Sequence, residues 1–146
     1  MNNEYRFHFP YSLPIKEIIQ EEMNTATLSF ELPSSPRMSI NPGQYFMLWL
    51  PKDDEIPISV SLYRDNTISF TICAVGPTSK NLLSQKEGNL IGLRGPFGNG
   101  FSPKITSTLL VVGGGMGMPP LRFLIHSFST VMVDLKKNQS IQTMQP

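Results

Sequence analysis

Apolar and polar residues alternate along much of the first hundred positions of the chain. The clearest alternation covers residues 25–32, where every second residue is apolar. A period of two is typical of a strand with one buried face. Looser alternation over residues 11–22 also predicts a strand, although residues 17–23 could equally form a helix. Residues 44–50 are apolar almost throughout, which predicts a strand buried on both faces.

Turn-forming residues separate these apolar stretches at intervals of about eight to twelve positions. One of them is Asn41-Pro42-Gly43, with proline and glycine where a type II turn favours them. The later predicted elements are a hairpin with strands at 56–63 and 67–75, a short helix at 80–85 capped by Thr78 or Ser79, a strand at 90–93 and a rigid loop at 94–100. Six short strands at this spacing predict a mainly β fold, a small antiparallel barrel.

The pattern changes after about residue 102. Leu109–Val112 is apolar and predicts a short buried strand, and a glycine-rich turn follows it. Pro119 and Pro120 suit the first turn of a helix that continues through the apolar residues 121–125. Strand, turn and helix in this order open an α/β unit. The predicted domains are therefore a barrel at residues 1–102 and the start of an α/β domain at residues 103–146.

The glycine-rich turn has the chemistry of a phosphate site. Glycine allows the backbone to lie against a ligand, and the first turn of the next helix offers free N–H groups. The turn is not a P-loop, and Met118 breaks a strict G-x-G-x-x-G pattern. On the motif alone, a turn that binds nothing remains an equal alternative.

The chain after Phe128 gives little support to a complete α/β domain. Residues 131–135 could form a second strand, but residues 136–146 are polar and show no periodicity. One strand and one helix cannot bury a parallel sheet. We therefore expect the α/β domain to be incomplete.

Composition excludes several classes of function. The 12 basic and 11 acidic residues give a net charge of +1, so the chain has no electrostatic footprint for nucleic acid or an anionic membrane. The single cysteine, Cys73, excludes an internal disulfide framework and any multi-cysteine metal site. His8 and His126 lack partners at metal-ligand spacing. Residues 1–10 lack the apolar core of a signal peptide, and we expect a cytoplasmic setting.

The order of the motifs carries more information than any single motif. Pro57-Ile58-Ser59 lies in the fourth predicted strand, Thr78-Ser79 follows the fifth, and then come Gly-Pro-Phe-Gly-Asn-Gly-Phe101 and Val-Val-Gly-Gly-Gly-x-Gly-x-x-Pro-Leu121. This set resembles the ferredoxin–NAD(P)H reductase superfamily over about residues 10–128. The glycine-rich loop ending at Phe101 and the Glu-Ile-Pro-Ile-Ser segment favour a narrower resemblance, to electron-transfer subunits of type B dihydroorotate dehydrogenase.

The resemblance implies an FAD-binding barrel followed by a nicotinamide-nucleotide domain. In that family, electrons would pass from NAD(P)H through FAD and a [2Fe–2S] cluster to a partner catalytic subunit that oxidises dihydroorotate in pyrimidine synthesis. The four cluster cysteines and the later strands of the nucleotide domain are missing from these 146 residues. The chain thus looks like a member truncated by about half.

The same resemblance assigns site residues by position. A flavin-ring segment falls on Pro57, Ile58 and Ser59, with Ile56 in place of the usual arginine; Arg64 and Lys80 are weak substitutes for it. The remaining assignments are a flavin-facing strand at Ile72, Cys73 and Ala74, a diphosphate turn at Gly76, Thr78 and Ser79, and a nicotinamide-nucleotide loop at Gly113, Gly114, Gly115 and Gly117. No catalytic side chain or metal ligand is expected, because a flavin carries its own chemistry.

Two alternatives remain open at this stage. The chain could be another electron-transfer subunit of the superfamily, of the hydrogenase or sulfide dehydrogenase type. It could also be a non-catalytic remnant or interaction module that keeps the barrel without its flavin, which the departure at Ile56 favours.

Overall fold

The computed structural model describes residues 7–34, 38–102, 109–128 and 141–144. Its strands are β1 (Phe7–Glu22), β2 (Thr25–Glu31), β3 (Tyr45–Trp49), β4 (Ile56–Arg64), β5 (Thr67–Cys73), β6 (Leu90–Phe97), β7 (Leu109–Val112) and β8 (Ile141–Met144). Its α-helices are α1 (Pro77–Leu83) and α2 (Met118–Ser127), and a 3-10 turn at Gly115–Gly117 leads into α2.

The first six strands form a closed antiparallel barrel in the order β1-β2-β5-β4-β3-β6. The long strand β1 closes it, because its first half pairs with β6 and its second half pairs with β2. The pairing of Ile18 with Leu28 shows that the alternative helix at residues 17–23 is wrong. The predicted six-stranded barrel is confirmed.

The barrel core follows from the alternation seen in the sequence. Ala26, Leu28, Phe30 and Leu32 are all buried, as the period of two predicts. The Phe70 ring lies at the centre, with centroids 6.0 Å from Phe30 and 5.7 Å from Phe46 in edge-on geometry. Such pairs add stability beyond the area they bury.

Two details of the predicted barrel are wrong. Strand β3 is buried on one face only: Phe46 and Leu48 are in the core, while Tyr45, Met47 and Trp49 are half-buried on the outward face. Strand β6 continues through Arg94 to Phe97, where a loop was expected from the glycine and proline content. Pairing with β3 explains the extension, since Met47 lies opposite Arg94 and Tyr45 lies opposite Phe97.

The strand–turn–helix after the barrel is confirmed, with one correction. Of the four residues of β7, Val111 alone is buried, while Leu110 and Val112 are 61% and 65% exposed. Strand β8 pairs with β7 antiparallel, an element that the polar sequence at its position did not predict. The predicted strand at residues 131–135 lies outside the described residues, and the domain boundary at 102/103 remains a prediction.

None of the helices within the described ranges is long and apolar enough to cross a membrane. No group of three or more His, Cys, Asp or Glu side chains in the same ranges could hold a metal ion.

Candidate functional site

The barrel wall opens between the two predicted flavin segments. The ladder between β4 and β5 runs from Arg64 opposite Thr67 to Val60 opposite Phe70. Past that point, residues 57–59 pair with β3 and residues 71–73 pair with β2. Among the described pairs, nothing joins 57–59 to 71–73. Two strand edges with backbone donors and acceptors therefore border the same opening, which suits the polar edge of a planar ligand.

The side chains of β4 alternate at this opening. Ile56 and Ile58 pack against the barrel core, so they lie on its inner face. Pro57 is exposed and Ser59 is half-buried on the outer face, where Ser59 lies opposite Tyr45. The Ser59 hydroxyl forms no hydrogen bond to the part of the chain that the structure describes, so it is available to a ligand.

Strand β5 ends at the same opening. Ile72 is a core residue and can offer only its backbone, whereas Cys73 and Ala74 are half-buried. The Ala74 N–H donates to the Asn24 carbonyl at 2.8 Å, which ties the end of β5 to the turn between β1 and β2. The assignment of residues 72–74 as a flavin-facing strand remains a prediction.

The predicted diphosphate turn has a different internal structure from the one expected. Helix α1 begins at Pro77, with Gly76 as its N-cap, so Thr78 and Ser79 lie inside the first turn. The Ser79 hydroxyl accepts from the N–H groups of Val75 and Gly76, at 3.0 and 2.9 Å, and donates to the Gly76 carbonyl at 3.0 Å. Ser79 is buried and its hydroxyl already has three partners, so it shapes the turn.

Thr78 is the better candidate for a ligand contact in this turn. Its side chain is half-buried and forms no hydrogen bond within the described ranges. The backbone N–H groups of Thr78 and Ser79 also lack intrahelical acceptors, as in any first helical turn. A diphosphate would therefore meet the Thr78 hydroxyl and these two N–H groups.

Arg64 does not replace the missing family arginine on β4. Ile56 faces the core, and Arg64 stands at the other end of the strand, roughly 26 Å away at 3.3 Å per residue. Arg64 is also paired with Asp65 at 3.3 Å. Lys80 remains, exposed on α1, and Asn81 of the same helix binds the Asp53 carboxylate beside β4.

Sequence reasoning missed an ion pair that borders this site. Arg94 of β6 makes two hydrogen bonds to the Glu55 carboxylate, and its guanidinium also stacks over Phe97 at 5.1 Å. Hydrogen bonding from Arg94 lowers the pKa of Glu55, against the opposing effect of burial. The Phe97 ring packs on Tyr45 at 5.6 Å, and Tyr45 is the neighbour of Ser59.

The glycine-rich turn contains glycines of two kinds. A Cβ at Gly113 would lie 2.5 Å from Leu121 and 2.7 Å from Met118, and Gly115 has a positive φ of 51°. A Cβ at Gly114 or Gly117 would meet nothing within 4 Å. Close packing thus explains why residue 113 is glycine, and the positive φ explains why residue 115 is glycine. Neither reason applies to Gly114 and Gly117, which leave open space above the N-terminus of α2.

The fold is shared with flavin- and pyridine-nucleotide-dependent reductases. The FAD/NAD-binding domain of a Vibrio cholerae nitric oxide dioxygenase superposes with a TM-score of 0.75 at 16% identity, covering 84% of this chain and 58% of that one. The ferredoxin reductase of a carbazole 1,9a-dioxygenase superposes with a TM-score of 0.66 at 21% identity, covering 76% and 36%. At these identities the likeness establishes the fold, which is that of the ferredoxin reductase-like barrel.

Sequence similarity points to a narrower group of proteins within this fold. No family model matches the chain. A probable electron-transfer subunit of dihydroorotate dehydrogenase B from Methanocaldococcus jannaschii is 36% identical over 126 residues, covering 86% of this chain and 46% of the relative. Its counterpart from Thermoplasma volcanium is 36% identical over 131 residues, covering 89% and 50%. The chain is therefore similar to the electron-transfer subunits of dihydroorotate dehydrogenase B, and it spans about half the length of these relatives.

Proposed function

We propose that the chain is the flavin-binding part of an electron-transfer subunit that passes reducing equivalents from NAD(P)H to a partner enzyme. The opening between residues 57–59 and 71–73 carries this proposal. In the arrangement that we propose, FAD would bind at this opening and contact the two strand edges, the Ser59 hydroxyl and the turn before α1. The similarity to electron-transfer subunits supports the same function.

FAD would supply hydride acceptance and single-electron release when bound. The backbone at 57–59 and 72–74 would line and orient the flavin ring, and Ser59 would donate a hydrogen bond to its polar edge. Thr78 and the first N–H groups of α1 would hold the diphosphate. Gly114 and Gly117 would admit the phosphates of the nicotinamide nucleotide to the N-terminus of α2.

The iron–sulfur centre expected in the family does not fit this chain. A [2Fe–2S] cluster needs four thiolate or imidazole ligands in one place, and the 146 residues contain one cysteine and two histidines. We therefore route no step through a cluster. The partner that we propose is the catalytic subunit of a dihydroorotate dehydrogenase, by analogy with the relatives' names, and a cytoplasmic location remains a prediction.

Flavin binding is the decisive experiment. The absorption spectrum of the purified chain between roughly 350 and 500 nm, recorded after FAD addition and desalting, should show the paired bands of bound flavin. Ser59→Ala should weaken binding, whereas Ser84→Ala on the far end of α1 is a matched control that should not. Failure to retain FAD even at excess would contradict the proposal.

Two observations favour a second candidate function, a non-catalytic interaction module. Ile56 removes the family's cation, and Leu110 and Val112 present apolar surface on β7. Such exposed apolar residues can mark a contact with another protein. A folded barrel that binds no FAD and self-associates would support this candidate. A different subunit type, that of a hydrogenase or sulfide dehydrogenase, would instead keep the flavin and differ in its partner.

A further inference from the structure

The outer face of the barrel contains a patch of small hydroxyl side chains, of which Thr27, Ser29 and Ser69 are buried and Thr71 is half-buried. Leu28 and Phe30 point into the core, so Thr27 and Ser29 lie on the outer face of β2. The Thr27 and Thr71 hydroxyls are 2.8 Å apart, and those of Ser29 and Ser69 are 2.9 Å apart. Hydroxyl groups on the outer face of a barrel are normally exposed to solvent, so the burial in this patch means that another element covers it.

Helix α2 contacts the barrel beside this patch. It contacts β4, the neighbour of β5, and its Phe123 belongs to the same buried cluster as the barrel core. The next two residues, Leu124 and Ile125, pack against Val111 of β7. Helix α2 therefore joins the barrel to the strand that leads into the glycine-rich turn.

Two hydrogen bonds and an ion pair link strand β5 to α2. The Thr27 hydroxyl donates to the Glu21 carboxylate at 2.8 Å. Because a hydroxyl has a single hydrogen, the contact between Thr27 and Thr71 must be donated by Thr71. On the other side, the Glu21 carboxylate lies 3.9 Å from Nη1 of Arg122 on α2. The connection runs from Thr71, next to Ile72 at the opening, to the second turn of α2.

We propose that Glu21 is a positioning residue that fixes α2, and with it the glycine-rich turn, relative to the strand that borders the flavin opening. A donor chain that ends on a carboxylate is stronger than isolated hydroxyl contacts. The ion pair alone would contribute little, because both side chains are partly exposed. Its effect comes from orienting a helix whose Phe123 is already held by the core. The consequence for electron transfer rests on the proposed function, while the docking of α2 does not.

Hydrogen exchange of the purified full chain, without ligand, tests the docking. Glu21→Gln and Arg122→Gln should each speed exchange of the α2 amides by about threefold, while the amides of β3 and β6 keep their rates. The double variant should exchange no faster than either single one, since both break the same link. Arg122→Lys, which keeps the charge, should restore most of the protection. Glu17→Gln, on the same strand and exposed, is the matched control.

Three results would overturn the inference: unchanged α2 exchange in both single variants, additive effects in the double variant, or equal loosening of β3 and β6. A second measurement concerns function. In FAD-loaded protein, Arg122→Gln should weaken NADH binding several-fold without changing FAD affinity, and a parallel loss of both would contradict a positioning role. If the chain binds no FAD, the proposed function fails, yet the exchange experiment still decides the docking.

Discussion

Arg94 and Glu55 lie 39 positions apart in the sequence and meet through two parallel hydrogen bonds, the Nε–Oε1 distance being 3.2 Å. Strand pairing brings them together, because Arg94 of β6 lies opposite Met47 of β3, and Met47 lies opposite Pro57, two residues after Glu55. The pair thus joins three strands at the side of the barrel that carries Pro57 and Ser59.

This ion pair should make stability depend on pH in the acid range. Arg94 lowers the pKa of Glu55 below its ordinary value of 4.5, so the pair contributes stability above that value and loses it as Glu55 becomes protonated. Glu55→Gln should therefore lower the melting temperature near about pH 7 and lower it less near about pH 3. Glu17→Gln, at an exposed position on β1, is the control. An equal effect of Glu55→Gln at both pH values would show that the charge is unimportant.

Gln44 is predicted to be a stability determinant of the loop after β6. Its buried side chain accepts from the Asn41 N–H and donates to the Gly98 carbonyl, both at 2.8 Å. Gln44→Ala leaves both groups without a partner and should lower the free energy of unfolding by about 1–3 kcal/mol in urea titrations. Gln85→Ala, at a less buried site with one hydrogen bond, should cost less than about 0.5 kcal/mol. Equal costs would refute this role for Gln44.

The alternation of apolar and polar residues predicted the strands whose buried face follows from local sequence alone. Strand β2 is an example, since its inward and outward residues follow directly from the period of two. Strand β6 was predicted too short, because Gly95 and Pro96 resemble a loop while pairing with β3 makes them part of a strand. No local signal could show that β1 divides its length between two partners, since that depends on barrel closure.

The candidate site, too, could be predicted from the sequence only in part. Motif order pointed to residues 57–59 and 72–74, but the divergence of β4 from β5 depends on which neighbour each strand pairs with. Likewise, the sequence offered Ser79 as a cap or phosphate ligand, and its engagement with Val75 and Gly76 appears only in three dimensions. The assignments of flavin and nucleotide residues remain predictions.

The core around Phe70 should be highly sensitive to truncation. This ring contacts Phe30 and Phe46 and is fully buried. Phe70→Ala should lower the free energy of unfolding by about 3–5 kcal/mol, a large part of the stability of an ordinary domain. If that variant fails to fold, Phe70→Leu provides a milder test and should still unfold at lower denaturant. Leu90→Ala, at an exposed position, should change stability by no more than about 0.5 kcal/mol.

Gly114 separates the nucleotide-binding role of the glycine-rich turn from its structural role. Its backbone is extended, with φ −149° and ψ 152°, and a Cβ there would meet nothing within 4 Å. Gly114→Val should therefore leave thermal stability nearly unchanged, whereas NADH binding to the FAD-loaded chain, measured by fluorescence titration, should fall at least tenfold. Gly100→Ala is the structural counterpart, because it combines a φ of 76° with a Cβ contact of 2.9 Å to the Pro42 carbonyl and should destabilise the barrel. Unchanged NADH affinity in Gly114→Val would mean that the open space above α2 is not where the nucleotide binds.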